Sequence, residues 1–149
     1  MVPRLAGFSN LTLTHSDAYL ANFLCPREGQ TGMTYLIDWQ SPELYRGSSD
    51  LANMCATFWT RAQRSNGERE QNVLRYYHRI LQQNGVTGYS WENLLTDYQL
   101  SIIDWLLIPL QDCLDGAGKA YWWPKMQCLA DAFEDWNCSS LFDAQLVVS

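Results

Sequence analysis

The sequence predicts one mainly α-helical domain with a small β hairpin near its start. Its 149 residues are the length of a single ordinary domain, and 47% of them are hydrophobic against 17% charged, which is enough apolar surface for a core. Apolar residues alternate in short runs through the first forty residues, and after Pro42 they recur with a period near four. Within the single domain 1–149 we therefore expect strands and loops over residues 1–40 and a helical subdomain over residues 47–145.

Three short segments of the first forty residues are typical of β-strands, namely 11–14, 23–25 and 33–37. Pro26, Gly29 and Gly32 lie between the second and third segments and favour a turn. We therefore expect these two segments to pair as a hairpin.

Four helices are expected downstream, over 51–59, 67–84, 91–114 and 117–136. The residues Ser48 to Asp50 are N-cap candidates for the first helix, and Ser90 is the candidate for the third. Gly85 is placed to end the second helix in a left-handed conformation. The expected buried face of the fourth helix consists of Trp122, Met126, Leu129, Ala130 and Phe133.

Charge and hydropathy exclude two classes of partner. Ten Lys and Arg stand against sixteen Asp and Glu, a net charge of -6, so a nucleic-acid backbone would be repelled. The longest apolar stretch, 102–110, is too short to cross a membrane of about 30 Å.

The start of the chain has no pattern of a secretory signal, and its five cysteines are an odd number without a Cys-x-x-Cys pair. We therefore expect a cytoplasmic protein with reduced thiols, most of them buried.

One constellation carries chemistry. His15, Asp17 and Asn22 fit His-x-Asp-x-x-x-x-Asn, the spacing of a kinase catalytic loop. In phosphoryl transfer an aspartate accepts the proton of the attacking hydroxyl, and an amide oxygen a few residues later holds a metal ion. Sixteen residues after Asn22, Asp38 ends an apolar strand, where a second metal-binding carboxylate is expected. We expect the side chains of Asp17, Asn22 and Asp38 to meet at one edge of the hairpin.

Together these segments resemble the aminoglycoside phosphotransferase and choline kinase-like family, whose members phosphorylate hydroxyls of small molecules. The segments that carry the resemblance are Leu13-Thr14-His15-Ser16-Asp17, Leu20-Ala21-Asn22, Leu36-Ile37-Asp38-Trp39-Gln40 and Ser49-Asp50-Leu51-Ala52. The pattern departs from the family at Ser16 and Ala21, where glycine is usual, and at Tyr19, where histidine is usual.

The resemblance implies a fold and a set of roles. The fold is a truncated C-terminal lobe of a kinase-like protein, and the cofactors are Mg²⁺ and ATP. Asp17 is the implied catalytic base, and Asn22 and Asp38 are the implied Mg²⁺ ligands. Ile37 is implied to lie beneath the nucleotide base. His15 and Asp50 are implied to support the loop.

The resemblance covers only the last part of such a protein. Fourteen residues precede His15, with one glycine and no lysine, so we expect the nucleotide-binding lobe to be missing and the isolated chain to be inactive. The expected partners are a small-molecule hydroxyl acceptor, for which the acidic excess would favour a cation, and either a complementary N-terminal lobe or a second copy of the chain. The alternative is a non-catalytic helical binding or interaction protein derived from the same fold.

Overall fold

The computed structural model describes residues 10–142, which form mainly helices and two small antiparallel sheets. The strands are β1 (Leu11–Thr14), β2 (Phe23–Leu24), β3 (Tyr35–Leu36) and β4 (Glu43–Arg46). The predicted hairpin is confirmed, because β2 pairs with β3 and Phe23 lies opposite Leu36. The predictions for residues 1–9 and 143–145 lie outside the described residues.

The second sheet pairs β1 with β4, and β4 was not predicted. Leu11 lies opposite Arg46, and Thr14 lies opposite Glu43. The strand reads Glu-Leu-Tyr-Arg directly after Pro42, and this sequence has no alternating apolar pattern. Its strand conformation depends on its partner and on a contact between Thr14 Oγ1 and the backbone oxygen of Glu43 (3.0 Å).

The helices follow in chain order. They are α1 (Ser48–Ala52), α2 (Arg61–Ser65), α3 (Arg69–Gln83), α4 (Trp91–Leu114) and α5 (Lys119–Asp135). Two of the predicted helix ends are confirmed, because Ser90 Oγ accepts a hydrogen bond from the backbone N–H of Asn93 (3.1 Å) and Gly85 has a φ of 86°. No helix within residues 10–142 is long and apolar enough to cross a membrane.

The first predicted helix, over 51–59, is wrong in its ends and in its geometry. Helix α1 begins at Ser48 without a side-chain cap and continues into a π-helical turn, Asn53–Thr57. The chain then turns before the short helix α2, which was not predicted. The signal for α2 was present, because Thr60 and Gln63 form a reciprocal capping box at its start.

The core is centred on α4, which packs against α1 and α5. The largest fully buried side chains of the core include Leu74, Tyr98, Ile102 and Leu129. Burial of an aliphatic side chain of this size contributes about 1.5–3 kcal/mol. The predicted buried face of α5 is correct at Leu129 and wrong at Ala130, which is exposed, whereas Ala132 is buried.

All five cysteines are free, but the expectation that most are buried is wrong. Cys55 and Cys138 are buried, Cys128 is half-buried, and Cys25 and Cys113 are exposed. Burial raises the pKa of the Cys138 thiol to about 12, so this thiol stays protonated at neutral pH.

A buried polar cluster joins four of the helices at Glu70. Its carboxylate accepts hydrogen bonds from Tyr98 Oη (2.6 Å) and Trp136 Nε1 (2.9 Å), and it lies 3.3 Å from Arg64 Nε. Arg64 also pairs with Asp135 (2.6 Å). Burial raises the pKa of Glu70 above its usual value of 4.5, against the opposing effects of its hydrogen bonds from Tyr98 and Trp136 and of the charge of Arg64.

The raised pKa of Glu70 predicts a stability contribution that is full at low pH. The folded protein holds this proton more tightly than the unfolded chain, so the contribution is present below pH 4.5 and is lost as the pH rises through the folded pKa. Urea unfolding of the parent and of Glu70→Gln from pH 4.5 upward should therefore show the parent losing stability relative to the variant. A difference that is independent of pH would contradict this.

Candidate functional site

The loop after β1 is held by one carboxylate from α1. Asp50 accepts hydrogen bonds from the backbone N–H groups of His15 (2.7 Å) and Ser16 (2.9 Å), one on each oxygen. Ser16 has a φ of 64°, a left-handed conformation that glycine adopts freely and that is unfavourable for other residues. Asp50 therefore stabilises a strained turn immediately before Asp17.

The buried ring of His15 connects this loop to the hairpin. Its Nδ1 accepts a hydrogen bond from the backbone N–H of Asp17 (3.3 Å), so the proton is on Nε2, which donates to the backbone oxygen of Ile37 (2.8 Å). The ring of Trp39 packs against the imidazole edge to face, with 4.7 Å between the centroids. His15 thus uses both ring nitrogens to position the loop against the hairpin.

Asn22 is buried and directs its amide nitrogen at Asp17. Its Nδ2 donates to the backbone oxygen of Asp17 (2.9 Å) and to Oδ2 of the same residue (3.3 Å). The backbone N–H of Ile37 donates to the backbone oxygen of Asn22 (2.9 Å), which ties the hairpin to the loop a second time. Within residues 10–142 the amide oxygen Oδ1 has no hydrogen bond, so it is the atom of Asn22 that remains for a ligand.

Two of the three acidic residues of the predicted site, Asp17 and Asp38, are exposed. Asp17 is held from its two sides by His15 and Asn22, as described above. Asp38 follows Ile37 with a φ of 68°, and its carboxylate forms no hydrogen bond or ion pair with the described residues. Ile37, the implied nucleotide contact, is 38% exposed. Hydrogen bonds thus join five of the six predicted site residues, whereas Asp38 is connected only through the backbone of Ile37.

The donor chemistry of the site suits a magnesium ion. Within residues 10–142, no three His, Cys, Asp or Glu side chains are grouped so that they could hold a metal. Mg²⁺ commonly takes only one or two protein carboxylates, together with water and phosphate oxygens. The free amide oxygen of Asn22 and the unpaired carboxylate of Asp38 are ligands of this type.

A pocket of about 140 Å³ opens beside Asp17, and no pattern in the sequence indicates it. Its polar lining includes Asn53 and Thr57, from the π-helical turn after α1, and the ion pair between Lys125 Nζ and Asp112 (3.2 Å). Asn53 and Thr57 occupy the buried side of a segment that the periodicity describes equally well as an ordinary helix. Their position in the lining of a pocket follows from the π-helical geometry, for which the sequence has no clear signal.

The Asp50→Asn substitution should lower the free energy of unfolding by about 2 kcal/mol. Each bond from a backbone N–H to a carboxylate contributes about 1.5–3 kcal/mol, and the amide keeps one acceptor oxygen but turns an NH₂ group toward the other N–H. Asp115→Asn, at an exposed position after α4, is the control and should change stability by less than about 0.5 kcal/mol. Equal losses in the two variants, measured by urea unfolding, would contradict the supporting role of Asp50.

Comparison with known families matches the chain to a different family from the one expected. The model of the family DUF1679, described as "Uncharacterized oxidoreductase dhs-27", matches residues 1–116, which include the loop, the hairpin and α1 to α4. No curated protein and no solved structure matches the chain significantly. The assignment to the aminoglycoside phosphotransferase and choline kinase-like family is therefore wrong, since no kinase-like family model matches.

Proposed function

The chain belongs to the DUF1679 family, and from the geometry of its loop we propose that it carries the part of an ATP-dependent phosphoryl-transfer site that binds the hydroxyl acceptor and the metal ion. The observation that carries the proposal is the exposed carboxylate of Asp17. The buried Asn22 donates a hydrogen bond to this carboxylate from Nδ2, and the buried ring of His15 accepts one from the backbone N–H of Asp17. Such preorganisation has a structural cost and is typical of a group that acts on a ligand.

In this proposal Asp17 is the general base. The acceptor's hydroxyl oxygen bonds to the γ-phosphorus of ATP while the bond from that phosphorus to the bridging oxygen of ADP breaks. ADP leaves with the electron pair of that bond, and Asp17 takes the hydroxyl proton. The products are a phosphate ester and ADP, and Asp17 then releases its proton to water.

The oxygen of Asn22 and the carboxylate of Asp38 are the proposed Mg²⁺ ligands. When bound, Mg²⁺ neutralises charge on the phosphates of ATP. The hydrogen bonds from Asn22 Nδ2 to Asp17 have a second effect, because they orient the carboxylate and keep the amide oxygen on the opposite side of the group. The proposal extends to a kinase-like lobe as the fold, with Ile37 beside the nucleotide base, and to a cytoplasmic location, where five free thiols stay reduced.

The second candidate is a non-catalytic interaction protein, and an exposed apolar surface favours it. Leu13 and Leu44 lie opposite each other across β1 and β4 and are 59% and 72% exposed. On the hairpin, Leu24 and Tyr35 are a second exposed pair. Apolar residues grouped in this way are typical of a surface that associates with a partner, here a second copy of the chain or a complementary lobe. The proposed catalytic site and this surface are compatible with each other. A chain that has both would be active only when the partner is bound.

The family description names an oxidoreductase, and this possibility makes a different prediction. Hydride transfer from a nicotinamide needs a dinucleotide site, whose usual signal is Gly-x-Gly-x-x-Gly between a strand and a helix. No such run occurs among the nine glycines of the sequence. Binding of a nicotinamide nucleotide therefore separates this function from the proposed one.

The test is calorimetric titration of the chain with ATP, with and without Mg²⁺, and with NADPH, alongside light scattering. Phosphoryl transfer predicts saturable ATP binding that requires Mg²⁺ and no binding of NADPH. Binding of NADPH without binding of ATP would overturn the proposal in favour of the oxidoreductase. A stable oligomer without nucleotide binding would overturn it in favour of the interaction protein.

A further inference from the structure

The pocket beside Asp17 contains two buried polar atoms that lack partners. Asn53 Nδ2 and Thr57 Oγ1 have no hydrogen bond within the described residues, and the two side chains are only 2% and 4% exposed. A buried donor without an acceptor destabilises a folded protein, so most such atoms in proteins are satisfied. Two of them in one small pocket indicate that a ligand or ordered water completes the site.

The backbone at this position is also unusual. Asn53–Thr57 is a π-helical turn inserted directly after α1. Such turns are rare and are frequently located at functional sites. In an α-helix a threonine hydroxyl can donate to the carbonyl four residues earlier, whereas the hydroxyl of Thr57 makes no such bond here. The turn therefore leaves this hydroxyl available to the pocket.

The charges around the pocket are unevenly balanced. Lys125 pairs with Asp112 at 3.2 Å and lies 3.6 Å above the ring of Tyr121, so its charge is already compensated. Asp17 has no cationic partner within the described residues. A ligand here meets one unpaired carboxylate at Asp17 and the two uncharged hydrogen-bonding groups of Asn53 and Thr57.

The volume limits the part of the ligand that can enter. At about 140 Å³, the pocket is close to the size of cavities of about 150 Å³ that hold a benzene molecule. It therefore takes a group of about six non-hydrogen atoms. At least two of these must be oxygens if the group is to form hydrogen bonds both with Asp17 and with the unpartnered atoms of Asn53 and Thr57.

We propose that this pocket binds the hydroxyl acceptor through a second oxygen. One hydroxyl of the ligand meets Asp17, and a neighbouring oxygen accepts a hydrogen bond from Asn53 Nδ2 and shares another with Thr57 Oγ1. The ligand class is a small polyol, or the polyol end of a larger molecule. The role of the ligand as acceptor rests on the proposed phosphoryl transfer, whereas the selection of paired oxygens rests on the pocket alone.

The test uses glycerol as the probe, with propan-1-ol as a ligand of similar size that lacks the second oxygen. Glycerol should shift the NMR signals of the Asn53 side-chain amide and the Asp17 backbone amide in a saturable manner, and propan-1-ol should bind more weakly. The loss of one neutral hydrogen bond in Thr57→Val should weaken glycerol binding about threefold to tenfold. The melting temperature of this variant should rise, because an unpartnered hydroxyl is removed, and this shows that the variant folds.

Thr87→Val, in an exposed loop whose residues do not line the pocket, is the matched control and should bind glycerol like the parent. Equal binding of glycerol and propan-1-ol, or unchanged glycerol affinity in Thr57→Val, would overturn the proposal. Saturable glycerol binding in a chain that does not bind ATP with Mg²⁺ would support the polyol pocket and overturn its role in phosphoryl transfer.

Discussion

The Glu70→Ala variant should lose about 3–5 kcal/mol of unfolding free energy, the range expected when one partner of a buried charged pair is removed. Glu70 is buried and accepts hydrogen bonds from Tyr98 and Trp136, in addition to its ion pair with Arg64. Truncation leaves the hydroxyl of Tyr98 and the indole N–H of Trp136 without this acceptor, and Arg64 loses one of its two buried or half-buried carboxylate partners. Because they belong to α2, α4 and the end of α5, the loss affects the contacts among several helices at once.

Urea unfolding at neutral pH measures this effect, and Glu134→Ala is the matched control. Glu134 forms an ion pair with Arg61 (2.8 Å), but its side chain is 73% exposed, and exposed pairs contribute about 0–1 kcal/mol. A loss in Glu70→Ala that is no larger than in Glu134→Ala would show that the buried cluster does not determine the stability of the helical subdomain.

The second large effect is expected on metal affinity. Asp38→Asn should weaken Mg²⁺ binding about tenfold or more, equivalent to about 1.4 kcal/mol, because the ligand loses its charge. Stability should change by less than about 0.5 kcal/mol, since the carboxylate forms no hydrogen bond or ion pair with the described residues and asparagine tolerates a φ of 68°. Titration with Mg²⁺ and urea unfolding of the same samples measure the two quantities.

Glu28→Gln is the control for this experiment. Glu28 is an exposed carboxylate in the turn of the same hairpin, so its substitution changes the net charge equally. If Mg²⁺ affinity falls equally in both variants, the effect is one of overall charge. If it stays at the parent value in Asp38→Asn, Asp38 is not a ligand.

The parts of the fold that follow from local sequence were predictable. Helix α4 begins after Ser90 because a hydroxyl caps its first turn, and Gly85 ends α3 because it adopts a positive φ at little cost. The hairpin of β2 and β3 follows from turn residues between two short apolar runs. Strand β4 was missed because its partner β1 lies some thirty residues earlier and its own sequence has no strand pattern.

The part of the site that follows from local spacing was predictable as well. The spacing of Asp17 and Asn22 predicted that these side chains face one another, and they are hydrogen-bonded. The pocket of Asn53 and Thr57 was missed because it depends on a π-helical turn and on residues from α4 and α5 that only the tertiary fold brings near. The family assignment was wrong because four segments of three to five residues, two with departures, are too little sequence to define a family.

The central claim is that Asn22 and Asp38 form one divalent-metal site beside Asp17. Titration with Mn²⁺, a paramagnetic substitute for Mg²⁺, tests it directly, because the ion broadens the NMR signals of the groups nearest to it. The account predicts that the Asn22 side-chain amide and the backbone amides of Asp17 and Asp38 broaden first, at low Mn²⁺, and recover when Mg²⁺ is added. Broadening that begins at the acidic residues of α5, or that is uniform over the chain, would contradict it.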